Sequence, residues 1–191
     1  MSRLLLYHDF VSPFCRLALQ VAVRGAERTG HEVRAVPFEL RPAPEPLPPP
    51  DDPALAEELE AARGVAEEWG LTLGELRVRP RTRKAHEAVA AARAEGRELA
   101  MLDALYTALW ERGEDVSRLD VLAAAGSAAG VDAEALHVAL GVDRWEEAVV
   151  REQEAAAAAG LMGVPAFQVG DRRASGLWSV DELIGWIEEN D

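Results

Sequence analysis

The sequence predicts an α/β fold in which the two ends of the chain build one layered domain around an inserted all-helical block. Three observations predict it. Short apolar runs of strand length sit near the ends, at residues 3–7, 33–38 and 166–169. A proline-rich stretch, RPAPEPLPPPDDP, follows the first two strands, and helical spacing then dominates for roughly ninety residues. The expected boundaries are 1–42 and 143–191 for the α/β domain and 43–142 for the insertion.

Arg3-Leu4-Leu5-Leu6-Tyr7 is a short apolar run bounded by polar residues, as a buried central strand requires. From Pro13 the period changes. Phe14, Leu17, Ala18, Val21 and Ala22 mark a helix with Ser12 as N-cap, Pro13 at its first position and Gly30 past its end. Residues 33–38 form the next strand, and a helix packed back on two strands makes them parallel, with a right-handed crossover. The connector holds seven of the 11 prolines between Pro42 and Pro53, so neither helix nor sheet continues through it.

Helices are expected at 54–69 and 84–94, and a third is marked by Leu99, Leu102, Leu105, Tyr106 and Leu109. Two shorter ones, at 117–128 and 132–140, would be capped by Ser117 and Asp132. A helix over 143–159 has Asp143 as expected cap with Glu146 three residues on. Ala166–Val169, Gly170-Asp171 and residues 172–175 then read as a hairpin with a two-residue turn. Ser179 and Glu182 form a capping box ahead of Val180, Leu183, Ile184 and Ile187. The five tryptophans, Trp69, Trp110, Trp145, Trp178 and Trp186, are read as packing residues without a stacking row.

A formal charge of −14 argues against nucleic acid and anionic membranes as partners. One cysteine allows no internal disulfide, and the four histidines are scattered, so no metal site is expected. No apolar run has the length of a membrane span. The first strand begins almost at Met1, leaving no room for a secretory signal, and a cytoplasmic location is expected.

The chemistry-bearing stretch is Ser12-Pro13-Phe14-Cys15, where the first strand feeds the first helix, together with Gly163-Val164-Pro165 before the third strand. In this element order, over nearly the whole chain, the pattern resembles the thioredoxin fold in its DsbA-like form. Within that superfamily PFELRP (residues 37–42), RTRKAHEA (81–88), AL and GED (around 104–115) and GVPAFQVG followed by ASG resemble the FrnE-like branch. The resemblance implies a nucleophilic cysteine at the first motif position, where helix amides and dipole hold a thiolate. Here that position is Ser12. A hydroxyl is far too weak an acid to be trapped as an anion there, and two-cysteine exchange within a lone chain is excluded.

Ser12 admits three readings. It caps the helix, contributing about 1 kcal/mol. Alternatively, the chain resembles kappa-class glutathione transferases and 2-hydroxychromene-2-carboxylate isomerases, which have Ser-Pro-aromatic at this turn. That resemblance puts the hydroxyl beside the sulfur of bound glutathione, where a charge-assisted hydrogen bond contributes about 1.5 to 3 kcal/mol. Or the groove outlasts a decayed enzyme and binds a peptide or small molecule.

Cys15 matches the family's second cysteine and is read either as a small buried apolar residue or as a single-thiol centre, nucleophilic or redox-sensing. Pro165 matches the cis-proline facing the motif turn, with the Val164 backbone turned toward the cleft to pair with a peptide or glutathione. His8 and Asp9 end the first strand near the mouth of a cleft expected between the two parts, where either could tune a thiolate. Ser12 and Cys15 are therefore the candidate catalytic residues, and Phe14, Val164, Pro165 and His8 the candidate ligand-binding ones. The leading expectation is a cytoplasmic DsbA/FrnE-like thiol oxidoreductase relative that works on or with a thiol such as glutathione and carries no covalent cofactor. Its alternatives are a glutathione-dependent isomerase or transferase and a non-catalytic peptide-binding or chaperone-like module. Expected partners are a thiol-containing small molecule or peptide, with a homodimer left open.

Overall fold

The structure is a computed structural model that describes residues 2–49 and 52–190. Twelve elements follow one another among the described residues: β1 (Arg3–His8), α1 (Pro13–Thr29), β2 (Glu32–Pro37), α2 (Pro53–Trp69), α3 (Arg83–Ala94), α4 (Glu98–Trp110), α5 (Leu119–Ala129), α6 (Ala133–Gly141), α7 (Glu146–Ala158), β3 (Ala166–Val169), β4 (Arg172–Ser175) and α8 (Val180–Asn190). The sheet has the order β2-β1-β3-β4, with β1 parallel to β2 and the remaining pairs antiparallel. The mixed α/β class and the arrangement of both chain ends in one sheet agree with the sequence reading.

The chain divides into two compact units. The first comprises Met1–Phe38, Pro53–Leu73 and Met162–Asp191; the second comprises Glu39–Asp52 and Gly74–Leu161. This grouping differs from the boundaries drawn on composition, because α2 joins the sheet unit and α7 the helical unit. Of the proline-rich connector, Pro50 and Asp51 lie outside the described residues, and residues 41–49 are neither helix nor strand.

In the first unit β1 lies between β2 and β3 and buries Leu4 and Leu6. On α1 the apolar spacing places Leu17, Ala18, Val21 and Ala22 out of solvent, and Gly30, in the left-handed region at φ 74°, ends the helix. Gly25 lets α8 approach α1, since a Cβ there would lie 3.2 Å from Leu183. Helix α2 packs on α1 through Leu17, Ala62 and Ala66, joined by Phe14, Val65 and Leu177. Removing a side chain such as Leu17 from this contact would cost about 2 to 5 kcal/mol. Just beyond α2, the Gln20 side-chain amide donates to the Thr72 carbonyl (3.0 Å) and accepts from the Thr72 amide (3.3 Å). One side chain thus satisfies both backbone polar groups of Thr72.

In the second unit α3 packs against α4, α5, α6 and α7, and α4 buries Met101, Leu102, Leu105, Tyr106, Leu109 and Trp110, each at most 1% exposed. Asp132 caps α6 as expected, accepting from the amides of Glu134 and Ala135 at 2.9 and 3.0 Å. Two expected caps fail. Ser117 turns its hydroxyl back to the Asp115 carboxylate (2.6 Å), and α5 begins at Leu119. Asp143 adopts a left-handed conformation, φ 53°, and its carboxylate binds the Lys84 ammonium, so α7 starts only at Glu146. In both cases a charged neighbour took the polar side chain that the helix start would have used.

Candidate functional site

The first strand ends at His8, and Asp9 leads on to the start of α1. Ser12 has the extended backbone of a cap (φ −87°, ψ 124°), Pro13 occupies the first turn, and the Ser12 hydroxyl accepts the Cys15 amide at 3.4 Å. The Ser12 amide donates to the Asp9 carbonyl at 3.3 Å. No acidic residue stands in the first turn of α1, so the positive end of its dipole meets no carboxylate of its own first turn. Ser12 is 2% exposed.

Cys15 is completely buried, and burial pushes its thiol from 9.0 up to about 12. The Asp9 backbone and the Ser12 hydroxyl pull the other way, while the negative charges of Asp9 and Glu58 add to the rise. At neutral pH this sulfur stays protonated. It has the environment of a small apolar packing residue, and a nucleophile needs the opposite one.

The β1/β3 ladder ends with Tyr7 opposite Ala166, so His8, next after Tyr7, and Pro165, next before Ala166, adjoin the last pair at the same end of the ladder. The structure therefore brings His8, Pro165, Val164 and the start of α1 to the same end of β1. The Val164–Pro165 peptide is cis, in the form the sequence pattern leads one to expect, and the Pro165 carbonyl accepts the Gly176 amide at 2.9 Å. His8 is 1% exposed, its carbonyl accepts the Phe38 amide at 3.0 Å, and its ring meets Phe10 edge to face at 5.0 Å. Phe14 points elsewhere: its half-buried ring joins the α1–α2 packing cluster.

The sequence reading missed the contribution of α2. Glu58 lies on this helix and its charge acts on Cys15, yet Pro53 onward carries only the signs of a new segment after a proline-rich connector. Its apolar spacing marks a helix face without saying which surface that face covers. Among the described residues, no cluster of three or more His, Cys, Asp or Glu could hold a metal ion, and no helix is long and apolar enough to cross a membrane.

A curated relative, the uncharacterized protein YwbO of Bacillus subtilis (strain 168), is 28% identical over 174 residues, covering 86% of this chain and 85% of that protein. Among solved structures, a probable DsbA oxidoreductase from Streptomyces coelicolor superimposes with a TM-score of 0.81 at 22% identity, covering 99% of this chain and 89% of that one. A 2-hydroxychromene-2-carboxylate isomerase gives 0.78 at 22% identity, covering 97% and 93%. The cytosolic disulfide reductase DsbM from Pseudomonas aeruginosa, solved with GSH, gives 0.75 at 20% identity and covers 98% of each chain. The sequence itself matches the family profile from residue 3 to residue 187, and on that match the chain belongs to the DsbA-like thioredoxin domain family.

Proposed function

We propose that this protein works with a thiol brought by its ligand, of the glutathione class, and holds that sulfur as a thiolate at the amino end of α1. One observation carries the reading: a serine-capped helix start with no carboxylate in its first turn stands beside a cysteine whose thiol is pushed up to about 12. The chain's own sulfur is unfit to be the anion there, so an external one is the natural occupant. The Ser12 oxygen accepts the Cys15 amide, and its O–H, which the Cys15 thiol engages in this structure, would turn to an arriving sulfur. Such a charge-assisted bond contributes about 1.5 to 3 kcal/mol, equivalent to lowering the ligand thiol by roughly one to two pKa units.

Two structures of the same fold support the reading, one an isomerase and one solved with GSH. A bound thiolate supplies a soft nucleophile for an electrophilic carbon. This is chemistry of the isomerase or transferase kind, and it needs no pair of protein cysteines. In this reading Val164 pairs through its backbone with the peptide groups of the ligand, Pro165 and His8 complete that wall, and Phe14 stiffens the helix start through its packing on α2. A reducing compartment such as the cytoplasm would keep such a ligand in its thiol form.

Glutathione titration followed by calorimetry, with thiolate absorbance read against pH, tests this. Binding is expected with the ligand thiol lowered by about one unit or more, and Ser12→Ala should cost about tenfold in the thiolate form. Because Ser12 is 2% exposed, the hydroxyl must be uncovered first, and association should be slower than about 10⁵ M⁻¹ s⁻¹. Absence of binding at millimolar glutathione overturns the proposal.

A further inference from the structure

Helix α8 carries a feature that the chemistry at α1 does not use. Its buried stripe is Leu183, Ile184 and Ile187. Glu182, Gly185, Trp186 and Glu189 are offset by three, four and seven residues, so they align along another side of the helix. With Leu177 and Trp178 they line an open groove of about 510 Å³. The two indoles meet edge to face, with centroids 5.8 Å apart and planes at 80°, so aromatic faces are presented beside carboxylates.

Two parts of this groove are held in place by hydrogen bonds. The Trp178 indole N–H donates to the Ser175 carbonyl at 3.3 Å. The Glu182 carboxylate accepts the Ser179 amide at 2.8 Å and its hydroxyl at 2.7 Å, bonds that hold its carboxyl below the usual value and keep it charged. Gly185 stands in mid-helix, where glycine is unfavourable, yet a Cβ there would meet nothing within 4 Å. Packing does not demand this glycine. Its effect is to leave the floor of the groove bare between the two carboxylates.

We propose that this groove binds a linear aliphatic polyamine, with ammonium groups on Glu182 and Glu189 and the methylene chain lying over Gly185 against Trp186 and Trp178. Seven residues of helix set the Cα atoms of Glu182 and Glu189 about 10.5 Å apart along the axis, a span suited to an extended triamine such as spermidine. Aromatic faces attract alkylammonium groups, and a chain of charge −14 draws polycations toward its surface. A second copy of this acidic chain would bring like charge to like. The side of a helix offers no free backbone groups for an extended peptide to pair with.

The test is a titration of the full chain with spermidine, followed by the indole N–H resonances. Those of Trp178 and Trp186 should shift, while those of Trp69, Trp110 and Trp145 stay. Octylamine, with one charge, should bind about threefold more weakly or worse, and raised salt should weaken spermidine. Glu189→Gln and Trp186→Leu should each lower spermidine affinity about threefold. Should Trp186→Leu fail to fold, Glu189→Gln, at an exposed position, still decides the matter. Uniform or absent indole shifts, equal binding of octylamine and spermidine, tighter binding of trilysine, or unchanged affinity in Glu189→Gln would each overturn the proposal.

Discussion

Two helices of the sheet unit begin on a serine, and they complete that start in opposite ways. At α8, Ser179 is answered three residues later by Glu182, which returns to the serine amide and hydroxyl and closes the box in solvent. At α1, the residue three positions after Ser12 is Cys15, buried and protonated, and the first turn holds no acid. One positive helix end is neutralised by its own sequence. The other has its geometry fixed and no acid within its own first turn, although Asp9 and Glu58 act on Cys15, and this difference, more than the serine itself, underlies the proposal of a foreign anion at the α1 start.

The largest effect that would sharpen this contrast lies on the alkaline side. The folded state holds the Cys15 proton more tightly than the unfolded chain, so the stability from this group is complete below pH 9.0 and is lost as pH rises toward about 12. Three pKa units (12 − 9.0) correspond to about 4 kcal/mol when fully lost. Urea unfolding at increasing pH should show that decline, and Cys15→Ala should remove it. A flat profile for the parent chain would mean the sulfur is not sealed.

Next in size is a matched pair of cap deletions. Ser12→Ala and Ser179→Ala should each cost about 1 kcal/mol in thermal or chemical unfolding. Only the first should raise the pKa of bound glutathione; equal effects of both would erase the distinction between the two helix starts. The smallest effect concerns acid. The Ser179 amide and hydroxyl hold the Glu182 carboxyl below its ordinary 4.5, so its contribution is present above that value and fades as pH falls through the folded one. Glu182→Gln should flatten the acid limb of the stability curve and leave thiol binding untouched.

Much of this contrast was legible in the residues alone. Ser12 as cap, Pro13 in the first turn, Gly30 at the helix end, the hairpin at Gly170-Asp171 and the box at Ser179 all rest on interactions within a few residues, and all agree with the structure. The failed caps show where such reasoning stops. Ser117 and Asp143 have the right chemistry for a helix start, but Asp115 lies two residues away from one and Lys84 fifty-nine residues away from the other. A local pattern cannot weigh a distant competitor such as Lys84, whereas Asp115 stood within its reach and took the serine all the same.

The state of Cys15 was open for the same reason. Its complete burial and the charge of Glu58 on α2 arise only in the folded chain, which decides between an inert sulfur and a reactive one. Similarly, Trp178 and Trp186 stand eight residues apart and show no row in the sequence, yet the turn into α8 brings their rings together.

The sealed position of the single sulfur also governs how the protein meets oxidants. Thiolates attack peroxides and soluble disulfides, and the native chain presents no such thiolate, so it should neither cross-link to a copy of itself nor carry a glutathione adduct after exposure to air. Any dependence of its behaviour on redox buffer would then report on the proposed thiol ligand and not on the cysteine of the polypeptide.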